Sequence, residues 1–207
     1  KTVEIATNGQ ITNTVIDTLE FNTSRGLSPS ALHISGDIYA VAVSGPGSDG
    51  WLHTVEIAAD GQITNTVVDS YEYDTVQGNQ PSLVSIFGDV YAIAYQGAQG
   101  DGWLVTLNIA TNGTITKSLI DSLEFDTVSC THPKLAKIVS DTYGIVYEGP
   151  GNDGWVVIVT IQVNGNIFDE IVDSLEFDPA FGETPQILHV DGNVYMVMHD
   201  DQNNIGQ

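Results

Sequence analysis

The sequence predicts an all-β fold assembled from four copies of one four-stranded antiparallel sheet, and three observations carry that prediction. The first is an uninterrupted 52-residue period through the 207 residues. It links Trp51, Trp103 and Trp155; Tyr39, Tyr91, Tyr143 and Tyr195; Pro29, Pro81, Pro133 and Pro185; Asp17, Asp69, Asp121 and Asp173; and Glu20, Glu72, Glu124 and Glu176. Repetition at this length marks one supersecondary unit copied along the chain. The second is a turn dipeptide in every copy: Asn8-Gly9, Asp60-Gly61, Asn112-Gly113 and Asn164-Gly165. Such pairs tolerate the positive φ of a type I′ hairpin turn. The third is that no segment sustains a 3.6-residue apolar period over a helical length.

Within a unit the elements follow in order. The first strand reads Pro-x-x-x-x-Ile, as in Ser82–Ile86, and ends at a tight turn such as Gly88-Asp89. The second carries the recurring Tyr, as in Val90–Tyr95, and leads into a long loop such as Gly45–Gly50. The third opens with Trp and runs through Trp51–Ala58 to the Asp-Gly turn. The fourth follows as Ile63–Val68 and exits into a second long loop, exemplified by Glu124–Pro133. The two tight turns therefore share one end of the sheet and the two long loops the other, where ligand sites usually gather.

Such a sheet is apolar on both faces and cannot bury them alone. Radial stacking of sheets, each covering its neighbour, solves this, and over all 207 residues the sequence resembles the β-propeller class. The resemblance is one of architecture: there is no Trp-Asp dipeptide of WD40 type, no kelch double glycine and no DxDxDG calcium loop. A parallel β-helix is the alternative, but its repeats run to roughly 20–25 residues. One propeller domain over 1–207 is expected, with repeat boundaries near 51, 103 and 155. Lys1 aligns with His53, so the amino end carries strands three and four of a unit and the carboxyl end strands one and two. Joined, these halves make a fourth blade and close a ring. The same halves paired between molecules would instead give an eight-bladed dimer or a filament. Lys1 in place of Met, with no leader pattern before it, points to a processed or excised chain.

Composition narrows function. Lys and Arg number 5 against 27 Asp and Glu, a formal net charge of −22, which argues against nucleic acid and anionic membrane surfaces. No apolar run is long enough to insert into a bilayer. The single cysteine, Cys130, excludes an internal disulfide. The acidic, lysine-poor surface suggests an extracellular or cell-surface location, where salt screens self-repulsion.

Two repeated features are candidate sites. Asp-Gly-Trp recurs as Asp49-Gly50-Trp51, Asp101-Gly102-Trp103 and Asp153-Gly154-Trp155, an indole beside a carboxylate that suits a sugar. Gln207 stands where a fourth Trp would fall. Asp-x-x-Glu-x-Asp recurs as Asp69, Glu72 and Asp74; Asp121, Glu124 and Asp126; and Asp173, Glu176 and Asp178, with Asn22 replacing the third acid in the first unit. No cofactor is expected, Ca²⁺ being the one ion these oxygen clusters suit. Two further sets read as structural. His33, Ser85, Lys137 and His189 share one repeat position and give too few ligands for a metal. Cys130 and His132 lie close in a long loop, with no orienting third group in view. Enzyme sites usually break a repeat, and this surface repeats. The expectation is therefore a non-catalytic interaction or scaffold propeller, with a protein or glycan partner at the long-loop face. A lectin-like propeller using the Asp-Gly-Trp loops is the alternative, and a hydrolase-type site at the long-loop face the remaining one.

Overall fold

A computed structural model of the chain describes residues 1–200 and 206. Its strands are β1 (Thr2–Ile5), β2 (Ile11–Asp17), β3 (Leu27–Ser35), β4 (Ile38–Ser44), β5 (Gly50–Glu56), β6 (Asp69–Asp74), β7 (Asn79–Phe87), β8 (Val90–Gln96), β9 (Gly102–Ile109), β10 (Ile115–Asp126), β11 (Thr131–Val139), β12 (Thr142–Glu148), β13 (Gly154–Thr160), β14 (Asp173–Asp178), β15 (Glu183–Asp191) and β16 (Val194–Asp200). They form three antiparallel four-stranded sheets, β3 to β6, β7 to β10 and β11 to β14, flanked by the pairs β1–β2 and β15–β16. The first strands pack in chain order, β3 on β7, β7 on β11 and β11 on β15. This is the propeller arrangement, with the first strand of each sheet innermost.

Side-chain size explains the stacking. One face of each second strand is small and the other large. Ala40 and Ala42 of β4 lie in one core with Tyr91, Ile93 and Tyr95 of β8. Ala92 and Ala94 on the opposite face of β8 meet Tyr143, Ile145 and Tyr147 of β12 in the next. Alternation along a strand sends these two sets to opposite faces. Every residue from Val90 to Tyr95 is buried, because the central sheet is covered on both sides. Each Leu, Ile or Tyr so enclosed contributes about 1.5–3 kcal/mol.

Three details differ from the sequence expectation. The Asn-Gly and Asp-Gly turns have positive φ at the glycine alone (82° at Gly9, 85° at Gly61), and Gly9 N–H donates to Ala6 O. The loop is thus a type I-like turn closed by a left-handed glycine, which needs one residue more than the type I′ hairpin. In the first and third complete sheets the fourth strand is Asp69–Asp74 and Asp173–Asp178, later than Ile63–Val68 suggests. Finally, β1–β2 and β15–β16 stand as separate two-stranded sheets rather than pairing across a seam. Among the described residues β15 packs on β11 and β12, and no comparable packing of β15 on β3 closes the ring.

Candidate functional site

At the long-loop end, each Asp-Gly-Trp triplet is tied into its own sheet. The loop before Trp51 turns through Pro46–Ser48, with φ 74° at Gly47. The indole then lies over Gly45, where a Cβ would come within 2.3 Å of Trp51 Cδ1. Gly50 is bare because the Tyr73 ring covers it, and Gly102 and Gly154 are covered likewise by Phe125 and Phe177. Trp51 stacks on His53 at 5.9 Å, and the indole N–H groups of Trp51 and Trp155 are enclosed without a partner among the described residues. Asp49 and Asp101 lie beside Glu72 and Glu124; loss of hydration and these neighbouring carboxylates push both glutamates upward. All of these groups, with Asp153 and Trp155, sit at the third and fourth strands, away from the axis. The fourth copy of the motif, at Gln207, lies outside the described residues.

The acidic triplets are divided rather than gathered. Strand alternation puts Asp69 on the face opposite Glu72. Asp69 Oδ2 accepts the N–H of Ile115 in the next sheet, as Asp17 does from Ile63 and Asp121 from Ile167, each at 2.8 Å. Asp74 Oδ1 caps its own loop through the N–H groups of Val76 and Gln77, while Tyr95 Oη of the next sheet donates to Asp74 Oδ2. Asp126 repeats this with Val128, Ser129 and Tyr147. Asp178 caps Ala180 and Phe181 and faces His199 at 3.8 Å. Asn22 caps Ser24 and Arg25 without a charge, so capping alone does not need the acid. Asp173 and Glu176 lie on the exposed edge strand β14. Among the described residues no three His, Cys, Asp or Glu side chains converge to hold a metal ion.

The remaining sequence candidates also resolve locally. His33 Nε2 pairs with Gly36 O and the ring packs on Tyr39; His189 does the same with Gly192 and Tyr195, and Lys137 lies over Tyr143. Cys130 is fully enclosed, and burial pushes its thiol up, followed by the charges of Asp126 and Glu148. His132 lies on strand β11 rather than in a loop, and its Nδ1 faces Glu148 at 3.2 Å.

A different site emerges at the start of the innermost strands. Ser28, Gln80, His132 and Thr184 all hold left-handed φ, between 47° and 52°, immediately before a proline. A bulge interrupts the register there in all four sheets. Non-glycine residues in this conformation store strain, which proteins retain mainly where a side chain must be aimed. Around them the repeat is broken. The second strands end in Ser44, Gln96, Glu148 and Asp200, four different residues at one position. Ser44 Oγ donates to Asn79 Oδ1 at 2.6 Å, His132 N–H to Gln80 Oε1 at 2.9 Å, Thr184 Oγ1 to Asp200 Oδ2 at 2.9 Å, and Asn152 Nδ2 to Glu183 Oε1 at 3.1 Å. A cleft of about 210 Å³ opens between the first two sheets, lined by Arg25, Leu27, Ser28, Ser44, Asn79, Gln80 and Gln96. Arg25 Nε is enclosed there without a partner among the described residues. The mouth thus carries a cation and amides at one end and Glu148, Glu183 and Asp200 at the other. In the sequence this position shows only as loop divergence, with Ser28, Gln80 and Thr184 standing where His132 does beside a recurring proline.

No protein-family model matches the chain. No curated protein matches it in sequence. Solved structures match in fold. A thermostable family-43 glycoside hydrolase superposes with a TM-score of 0.51 at 12% identity, covering 88% of this chain and 67% of the other. A subtype N10 neuraminidase-like protein of A/little yellow-shouldered bat/Guatemala/060/2010 gives 0.50 at 11% identity, over 90% of this chain and 61% of that one. A Trypanosoma rangeli sialidase in complex with the inhibitor DANA gives 0.49 at 14%, over 97% and 37%. The likeness to the first two establishes the propeller fold. It also corrects the expectation of a non-catalytic interaction or scaffold module, and of its lectin-like alternative. That expectation took a repeated propeller surface as a mark of binding alone, whereas one propeller matched here is described as a hydrolase. Among the described residues no helix is long and apolar enough to cross a membrane.

Proposed function

We propose that this chain is a carbohydrate-active propeller with a hydrolase-type site at the axial mouth of its long-loop face. The observation that carries the reading is the run of unlike polar residues on the four strained bulges, from Arg25 and Ser28 to Thr184 and Asp200. A hydroxyl-rich ligand needs amide and hydroxyl partners, which Asn79, Gln80, Gln96, Ser28 and Ser44 offer in the cleft. At about 210 Å³ that cleft is smaller than the roughly 300 Å³ at which drug-sized pockets begin, so it suits one sugar ring with the rest of the chain in the open mouth. Glycoside cleavage needs one carboxyl group as acid and a second carboxylate as base or nucleophile. Glu148, largely enclosed and oriented by His132, is the acid in this reading, and Asp200, held by Thr184, the partner carboxylate. The likeness in fold to a glycoside hydrolase and a neuraminidase-like protein supports the substrate class. Work outside the cell fits the same reading, since the strongly acidic surface is best screened in salt.

The test is to incubate the intact chain with a panel of aryl glycosides and oligosaccharides and follow reducing ends. Hydrolysis of at least one substrate is expected, with a loss of about 100-fold or more in Glu148→Gln and in Asp200→Asn at unchanged melting temperature. No turnover by the unaltered chain, or undiminished turnover in both variants, overturns the proposal.

A further inference from the structure

Arg25 is the only arginine in a chain with 27 acidic residues, yet no carboxylate answers it. Among the described residues it forms no ion pair, and its Nε is enclosed without a hydrogen-bond partner. A guanidinium N–H closed off in this way costs free energy until an acceptor arrives. The charge is peculiar to this site, since Gln77, Ser129 and Phe181 stand at the same position in the other copies. The backbone is shared nonetheless. Arg25, Gln77, Ser129 and Phe181 each donate their N–H to the side chain three residues earlier, at 3.1, 2.9, 2.9 and 3.0 Å. That side chain is Asp74, Asp126 or Asp178 in three copies, and Asn22 in the copy that carries the arginine. Asn22 keeps the cap and withholds the charge. The second oxygens of Asp74 and Asp126 accept the hydroxyls of Tyr95 and Tyr147, but Val43 stands at the tyrosine's position in the first sheet and has none to donate. An aspartate at 22 would therefore keep one oxygen free three residues from the guanidinium, as its readiest partner. With the amide there instead, Arg25 stays charged and unpaired beside neutral walls, Ser28, Ser44, Asn79, Gln80 and Gln96.

We infer that the ligand of this cleft is an acidic sugar, its carboxylate paired with Arg25 and its hydroxyls with the surrounding amides. The inference rests on the carbohydrate reading of the mouth and adds the charge of the substrate to it. A net charge of −22 disfavours anions over most of the surface, so an unpaired cation in a neutral cleft selects where one can settle. The planar carboxylate matches the guanidinium fork through two parallel hydrogen bonds, which a lysine could not reproduce. A uronic acid is also scarcely larger than the neutral sugar. A sulfate or phosphate ester would add a tetrahedral group to a ring that already fills a cleft of about 210 Å³.

Titration calorimetry of the intact chain with methyl glucuronide and methyl galacturonide, against methyl glucoside and methyl galactoside, reads this without any turnover. At least one uronide should bind about 10-fold or more tighter than its neutral counterpart, and added salt should narrow the gap. Arg25→Gln should abolish that preference. Asn22→Asp restores the acid of the other copies and keeps the cap, so it should abolish the preference as well, at unchanged melting temperature. An arginine with a merely structural role would leave the preference unmoved. No preference in the unaltered chain, a preference that survives both substitutions, or tighter binding of glucose 6-sulfate than of either uronide overturns the inference. Where the neutral sugars bind as well as the uronides, the carbohydrate reading stands and only the acidic ligand is lost. No binding of any sugar, with no turnover in the hydrolysis panel, overturns both.

Discussion

Asp69 reaches across the gap between two sheets to accept the backbone N–H of Ile115 at 2.8 Å. Ile115 begins β10 opposite Ile109, and this carboxylate of the preceding sheet holds its amide. Lys117 Nζ pairs with the same side chain and also donates to Ser70 O. The contact recurs 46 residues apart at Asp17 and Asp121, so it is part of how one sheet is registered on another.

Removing it should cost stability. Asp69→Ala leaves the Ile115 amide without its acceptor and should destabilise the chain by about 1–3 kcal/mol in urea unfolding. Asp69→Asn keeps a carbonyl acceptor and should lose less. A zero change in both variants would refute the role.

The same carboxylates set an acid limit. Burial pushes Asp69 up, but Lys117 and the amides of Ile115 and Ser70 outweigh it and hold it below 3.8. Asp17 is lowered by the amides of Ile63 and Thr18. A folded value below the unfolded one means that stability is fully present above about pH 3.8 and drains away as pH falls through the depressed value. Thermal melts between pH 5 and 2 should show this loss, reduced in Asp69→Asn.

His53 works at higher pH. Burial lowers its pKa below 6.5, while its counterparts in the other sheets are Val105 and Val157. The unfolded chain then binds a proton the folded chain refuses, so stability should fall as pH drops below about 6.5. His53→Val should remove that part of the pH dependence, read from melting temperature against pH.

Gly97 tests packing under the tryptophans. Its φ of −92° suits any residue, yet a Cβ would lie 2.3 Å from Trp103 Cδ1. Gly97→Ala should therefore destabilise by about 1–3 kcal/mol through overpacking and shift Trp103 fluorescence.

Much of the fold was legible because it is written in repetition. The 52-residue period, the Tyr-Ala alternation of the second strands and the glycine turns each predict an element that is present. The site was harder for the same reason. Ser28, Gln80, His132 and Thr184 mix hydroxyls, an amide and an imidazole at one position, and their left-handed backbone follows from a bulge that pairing creates. The acids misled in the opposite direction: Asp69, Glu72 and Asp74 are close in sequence, but a strand sends Asp69 and Glu72 to opposite faces. The turn type was misread because Asn8-Gly9 serves a loop one residue longer than the two-residue hairpin.

Because every carboxylate clip spans the same 46 residues, each sheet needs only its immediate neighbour to be locked in place. Folding can then advance from the ribosome one repeat at a time, each new sheet settling on a finished predecessor before the following one has been synthesised.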